Sequence, residues 1–163
     1  MSTFAPLDLH VDSIIQNRLF WYDITKKHRS GFSGQPLFWH ADIPRMLEAG
    51  YHGACLGIHY FPWQSEAGWR AINRQLDYLD EVAKSDDRVR RVWRPETWAD
   101  IEETSDQLAI APGVEGAHVL NGRVDRIDTL AERGVSYLTL THFSKNRAAT
   151  PSMGRGANSQ DGI

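Results

Sequence analysis

Four places in this sequence join side chains able to bind a cation or move a proton to the end of an apolar run. LDLHVDS carries His10 and Asp12, LGIHY carries His59, APGVEGAH carries Glu115, and YLTLTH closes on His142. Side chains at i and i+2 of a strand leave the same face, so the His10 imidazole and the Asp12 carboxylate can converge on one cation without bending the chain. One nitrogen and one oxygen donor suit zinc, and also manganese or iron. A solvated strand face carries the same spacing. What favours a site is that Ser13, Ile14 and Ile15 follow at once, so the polar pair is expected to cap a buried strand rather than a wet edge. Glu115 precedes Gly116, whose missing side chain would let a metal, water or substrate come close. Its two oxygens can bridge two cations. The same dipeptide also reads as a turn glutamate with a glycine serving the turn. His59 and His142 read either as pocket-facing groups or as ordinary surface and hydrogen-bonded histidines.

The elements that must position these residues alternate in type. Strands are expected over residues 6–12, 53–60, 89–93, 108–114 and 135–141, short apolar runs mostly bounded by Gly, Pro or charge. Between them, Trp69, Ile72, Leu76, Leu79 and Val82 recur at helical spacing from Ser65 onward, which predicts one apolar stripe on a surface helix. Asp42 and Pro44 open a shorter helix closed by Gly50. Thr97 is placed to cap another carrying Trp98 and Ile101, and Val124, Ile127 and Leu130 precede Gly134 at the position of a C-terminal cap. Alternating β and α segments imply parallel strands joined by right-handed crossovers, hence an α/β barrel or an open doubly wound sheet. No Gly-rich phosphate loop follows the first strand, which argues against nucleotide binding. In a barrel, chemistry gathers at the C-terminal ends of the strands, and His10, Asp12, His59, Glu115 and His142 all fall at or just beyond such ends.

Composition narrows the classes further. With 163 residues, 41% of them hydrophobic, the chain can bury the core of one domain. Eighteen Lys and Arg against 21 Asp and Glu give a formal charge of −3 with no long run of either sign, so no nucleic-acid partner is expected. A single Cys55 excludes an intrachain disulfide and a Cys-rich zinc site; it reads as a small buried hydrophobe. No basic segment leads into an apolar stretch at the N-terminus and no membrane-length apolar run occurs, so a soluble, cytoplasmic chain without a membrane segment is expected. From residue 144 to 163 apolar content falls while Gly, Ser and Asn rise, and this segment reads as a loop or mobile tail.

Taken in order and spacing, LDLHVDS, APGVEGAH and GVSYLTLTHFSKN resemble the signature segments of the membrane dipeptidase (renal dipeptidase) family of zinc metallopeptidases. The stretch HADIPRMLEAGYHGACLGIHYFPW is similar to the family's approach to its second barrel strand, so the resemblance spans nearly the whole chain. It implies a (β/α)8 TIM-barrel fold, of which residues 1–163 form a single incomplete domain truncated after about the fifth strand, because such barrels need about 250 residues. The implied reaction is hydrolysis of the peptide bond of a dipeptide by a hydroxide held between two zincs. His10 and Asp12 match the family's ligands to one zinc, Glu115 the carboxylate bridging both, and His142 a histidine contacting substrate near the scissile carbonyl.

Departures from the family pattern set the remaining expectations. Leu9 and Val11 stand where the family usually has Gly and Asn, and Ala117 where it has a second Gly, so the groups around the ligands differ while the ligands are kept. The two histidines of the second zinc and a carboxylate on the last strand have no counterpart, and His28, His40, His52 and His118 do not occupy matching positions. Two zincs are implied for a complete site and at most one for this chain alone. The implied partners are a dipeptide and either a complementary C-terminal half or a further copy of the chain. An inactive partial barrel serving as a binding or assembly partner is the competing reading, and another metal-dependent hydrolase on the same barrel a third.

Overall fold

The structure, a computed structural model, describes residues 6–28, 40–61, 65–94, 98 and 106–152. Five strands form one parallel sheet: β1 (Leu7–Val11), β2 (Gly53–His59), β3 (Val89–Arg91), β4 (Leu108–Glu115) and β5 (Tyr137–Leu138). Among the described residues, the α-helices with both ends defined are α1 (Ser13–Phe20), α2 (Ile43–Glu48), α3 (Glu66–Ser85) and α4 (Arg126–Glu132), with a 3-10 turn over Ala117–Leu120. Every pairing between these strands is parallel, and the curled sheet is that of part of a TIM-type barrel.

β2 and β4 make the centre. Their segments GACLGIH and LAIAPGVE are buried except at the last residue of each, as near-continuous apolar runs in a parallel sheet require. They pair in unbroken register from Gly53 with Ala109 to His59 with Glu115. Strand order departs from the simple sequential one of a barrel, because β4 is bonded to β2 on one edge while β3 and β5 share the other. Pro112 falls in the gap between those two short strands: the Ile110 carbonyl accepts from Val92 N, and the Pro112 carbonyl accepts from Ser136 N, 2.8 and 2.9 Å away. A residue without an N–H is tolerated where one partner strand leaves and the next arrives.

The helices follow local signals. Ser65 caps α3 by accepting from Gly68 N at 3.1 Å, Glu66 and Lys84 sit at the ends favoured by the helix dipole, and Ile72, Leu76 and Leu79 are fully buried. Each such side chain contributes about 1.5–3 kcal/mol against leaving it in water. Asp42 caps α2 through Arg45 N at 2.9 Å. Gly134, φ 68°, closes the turn after α4 in the left-handed conformation a glycine adopts freely. The expected strand over residues 135–141 is reduced to Tyr137 and Leu138. Of the helix expected around Thr97, only Trp98 is described, and it is helical; the rest lies outside the described residues.

β1, expected as a buried strand, pairs among the described residues with β2 alone, and Leu9 is 71% exposed, so within this span of the chain the strand carrying His10 lies at the edge of the sheet. α1 and the 3-10 turn were not foreseen, since Ile14 in SIIQNRLF is the only fully buried apolar residue of that short helix. Cys55 is buried and free, as expected. Among the described residues, no helix is long and apolar enough to cross a membrane. Residues 144–152 form irregular backbone in which buried Asn146 accepts from Ala148 N and donates to the Leu140 carbonyl; residues 153–163 lie outside the described set.

Candidate metal centre

Parallel strands place all their C-terminal ends together, and the polar groups singled out above gather there. His10 stands one residue before the end of β1, and Asp12 one residue past it at the N-cap of α1. An aspartate at that position ordinarily accepts from the first helical amides. This one makes no side-chain cap bond, and its Oδ1 instead lies 3.2 Å from His10 Nε2. The convergence foreseen from i, i+2 spacing therefore occurs, although the backbone has already left the strand at Asp12 (φ −87°, ψ 23°).

Glu115 ends β4 and brings Oε1 to 3.9 Å from His10 Nε2 and 3.5 Å from His142 Nε2. Donor atoms of His10, Asp12 and Glu115 all lie within 4.8 Å of one another, the one such group of three among the described residues. Tetrahedral coordination with bonds of about 2.0–2.1 Å sets donors roughly 3.3 Å apart. The 3.2 Å pair meets that spacing, while the 3.9 Å pair and the Asp12–Glu115 pair, within 4.8 Å, close on it by side-chain movement. The residues present fit one cation with a nitrogen-and-oxygen ligand set.

Floor and neighbours are equally specific. A Cβ added to Gly57 would come 2.9 Å from Asp12 Oδ1 and 3.3 Å from His10 Nε2, so this glycine leaves room for both donors. Gly116, expected to open space for a ligand, does something else. Its φ is 97°, and a Cβ there would meet His118 Nδ1 at 2.8 Å and His142 Cβ at 3.1 Å, so the missing side chain lets protein groups pack. His142 is set by a tight turn in which Phe143 is left-handed (φ 58°) and Ser144 N donates to the His142 carbonyl at 2.7 Å. The Ser144 carbonyl is in turn 2.9 Å from His118 Nε2. His118 is thus held by the protein rather than offered to a ligand.

His59 faces the same mouth. Its ring meets His142 edge-on at 5.6 Å between centroids, while buried Gln75 grips its backbone, donating to the carbonyl at 3.0 Å. Burial first, then the charges of Arg18 and His142, pushes the His59 imidazole down to about 4, so it is neutral at pH 7. The Nδ1 atoms of both His59 and His142 are buried and find no hydrogen-bond partner among the described residues.

Sequence reading missed Tyr137. Its hydroxyl lies 2.5 Å from His10 Nδ1, on the ring edge opposite the nitrogen that faces Asp12 and Glu115. Burial, then nearby negative groups, raises the phenol to about 12, so it stays protonated. The available signal was period-two alternation in YLTLTH, where Tyr137, Thr139 and Thr141 fall on one side and the leucines on the other. Thr139 shows the same inward role, its Oγ1 accepting from Gly116 N at 2.8 Å.

Comparison with known proteins bears on the fold and the family. A metallopeptidase from Rhodobacter sphaeroides, liganded with a phosphinate mimic of the dipeptide L-Ala-D-Ala, superposes with a TM-score of 0.72 at 14% identity, covering 99% of this chain and 54% of that one. Dipeptidase AC, a metallopeptidase, gives 0.71 at 14% identity over 99% and 52%. The probable dipeptidase PvdM from Pseudomonas aeruginosa gives 0.67 at 16% identity over 90% and 36%. The chain thus spans about half or less of the length of these structures, and the likeness concerns the fold. A family profile described as Membrane dipeptidase (Peptidase family M19) matches residues 1–162, and the chain therefore belongs to the membrane dipeptidase family.

Proposed function

We propose that this chain supplies the first metal-binding part of a zinc-dependent dipeptidase site, with His10, Asp12 and Glu115 as ligands and His142 and His59 on the substrate side. The observation carrying this reading is the meeting of three donors from the ends of β1, α1 and β4 within 4.8 Å of one another, with the would-be capping carboxylate of Asp12 turned away from its helix. Family membership supports dipeptides as substrate. Bound zinc would polarise the scissile carbonyl and acidify a water.

The chain's own residues would then divide the remaining work. His10 and Asp12 hold one side of the site, while Glu115 stands between His10 and His142 with an oxygen to share. His142 Nε2, 3.5 Å from Glu115, is placed to donate to an oxygen that gains charge during hydrolysis. Neutral His59 backs it without adding a second positive charge. Three donors suffice for one cation, so the second cation and the rest of the substrate pocket are assigned to further barrel strands, on the same polypeptide or another. The open edge of β1 and the exposed Leu9 are where these would dock.

Elemental analysis of the purified chain tests the assignment, with one zinc per chain at most expected. Two tightly held equivalents would contradict it, and undiminished binding in His10→Ala or Asp12→Ala would remove those residues from the site. Adding a complementary C-terminal half is expected to produce dipeptide hydrolysis; its continued absence favours a binding or assembly role.

A further inference from the structure

We infer that Tyr137 is a positioning residue for His10: its hydroxyl holds Nδ1 so that Nε2 is the nitrogen presented to the cation. The inference rests on the metal-ligand reading of His10 given above. His10 sits on an edge strand and its side chain is 37% exposed, so packing alone leaves the ring free to flip or to offer either nitrogen. The Tyr137 hydroxyl at 2.5 Å holds Nδ1, on the ring edge opposite the Asp12 carboxylate 3.2 Å from Nε2.

The phenol is built into place. Tyr137 pairs with Gly113 in register, and Ser136 N and Thr139 N anchor the backbone on the Pro112 and Val114 carbonyls at 2.9 Å each. A Cβ at Gly113 would overlap the phenol ring and hydroxyl, so the ring lies in a slot that only glycine leaves open. Gly57, the register partner of Gly113, opens the adjoining space under His10 and Asp12. Two neighbouring glycines on the central strand pair thus make room, one for the ligands and one for the residue orienting them.

A hydroxyl suits the task because it both donates and accepts. In the metal-free chain, Nε2–H can donate to Asp12 Oδ1 while Tyr137 O–H donates to Nδ1. Coordination through Nε2 requires the other tautomer, in which Nδ1–H donates to the Tyr137 oxygen. The same contact serves both states by rotation of one O–H bond. Phenylalanine would fill the slot and serve neither.

The test uses Tyr137→Phe, which keeps the ring over Gly113, in the full chain, with zinc as the probe and chelator competition as the readout. An affinity loss of about 10- to 100-fold is expected, the range for removal of a group that orients a ligand. The metal-free melting temperature should fall by no more than about 2–4 °C, the cost of one lost hydrogen bond. Imidazole nitrogen shifts should show His10 as the Nδ1–H tautomer in the zinc-loaded wild type and lose that definition in the variant. In a His10→Ala background, Tyr137→Phe should cost nothing more. Wild-type affinity in Tyr137→Phe, with binding abolished in His10→Ala, would overturn the inference and leave the metal site standing. Undiminished binding in His10→Ala would overturn the site itself. A far larger fall in the metal-free melting temperature with the tautomer unchanged would make Tyr137 merely structural and also overturn the inference.

Discussion

Replacing Gly57 by alanine would put a methyl carbon 2.9 Å from Asp12 Oδ1, 3.1 Å from His10 Cε1 and 3.3 Å from His10 Nε2. Ordinary contact begins near 3.4 Å, so the carboxylate oxygen must retreat by about 0.5 Å and the ring by about 0.3 Å, whereas metal–ligand distances tolerate only about 0.2 Å. Both groups can yield, because the Asp12 side chain is 53% exposed. Gly57 is not in the left-handed region, and alanine in a strand interior loses less backbone entropy on folding than glycine, about 0.5–1 kcal/mol in the favourable direction. The expected result is a dissociation of two quantities: zinc affinity falls by about tenfold or more, while the metal-free melting temperature holds or rises slightly. Chelator competition and thermal unfolding on the same preparation measure both. Unchanged zinc affinity in Gly57→Ala would refute the claim that the donors occupy the space this glycine leaves. A large loss of metal-free stability would show instead that neighbours other than His10 and Asp12 fill it.

Other outcomes follow from the same structure. Asp42 is fully buried and accepts from Arg45 N and Nε, His28 N and the Tyr22 hydroxyl; Asp42→Ala removes a helix cap and a buried ion-pair partner together and should cost about 3 kcal/mol in urea unfolding. Because burial holds His59 down at about 4 against an ordinary 6.5, the unfolded chain binds that proton more readily. The contribution of neutral His59 is therefore full above pH 6.5 and lost as pH falls from 6.5 through about 4. Urea midpoints should decline less steeply across that window in His59→Gln than in the wild type, and equal slopes would discount the buried imidazole. The purified 163-residue chain should not turn over dipeptides with added zinc or manganese, and metal-dependent turnover abolished by His10→Ala would show that three ligands suffice.

The parallel α/β alternation, the α3 stripe and the placement of His10, Asp12, His59 and Glu115 at or beside strand ends were legible in the sequence, whereas His142 lies in a turn beyond the end of β5. Each rests on local periodicity and on the rule that parallel strands end together. Family membership was legible too, because motif order and spacing survive along the chain. What tertiary structure alone decided is which groups meet across distant segments. Tyr137 reaches His10 over 127 residues, and its significance depends on a slot at Gly113 that no periodicity announces. Gly116 looked like the glycine of the site and packs against His118 and His142, whereas Gly57, unremarked in an apolar run, lies beneath the ligands. Asp12 reads in the sequence as a strand residue; only the structure puts it at the N-cap of α1, with its carboxylate beside His10 rather than on the helix amides. The order of β3 and β5 along one edge of β4 is likewise unwritten locally, because it follows from strand lengths of three and two residues sharing an eight-residue neighbour. Local sequence fixes which way a side chain can point; contacts between segments far apart in the chain determine what it meets there.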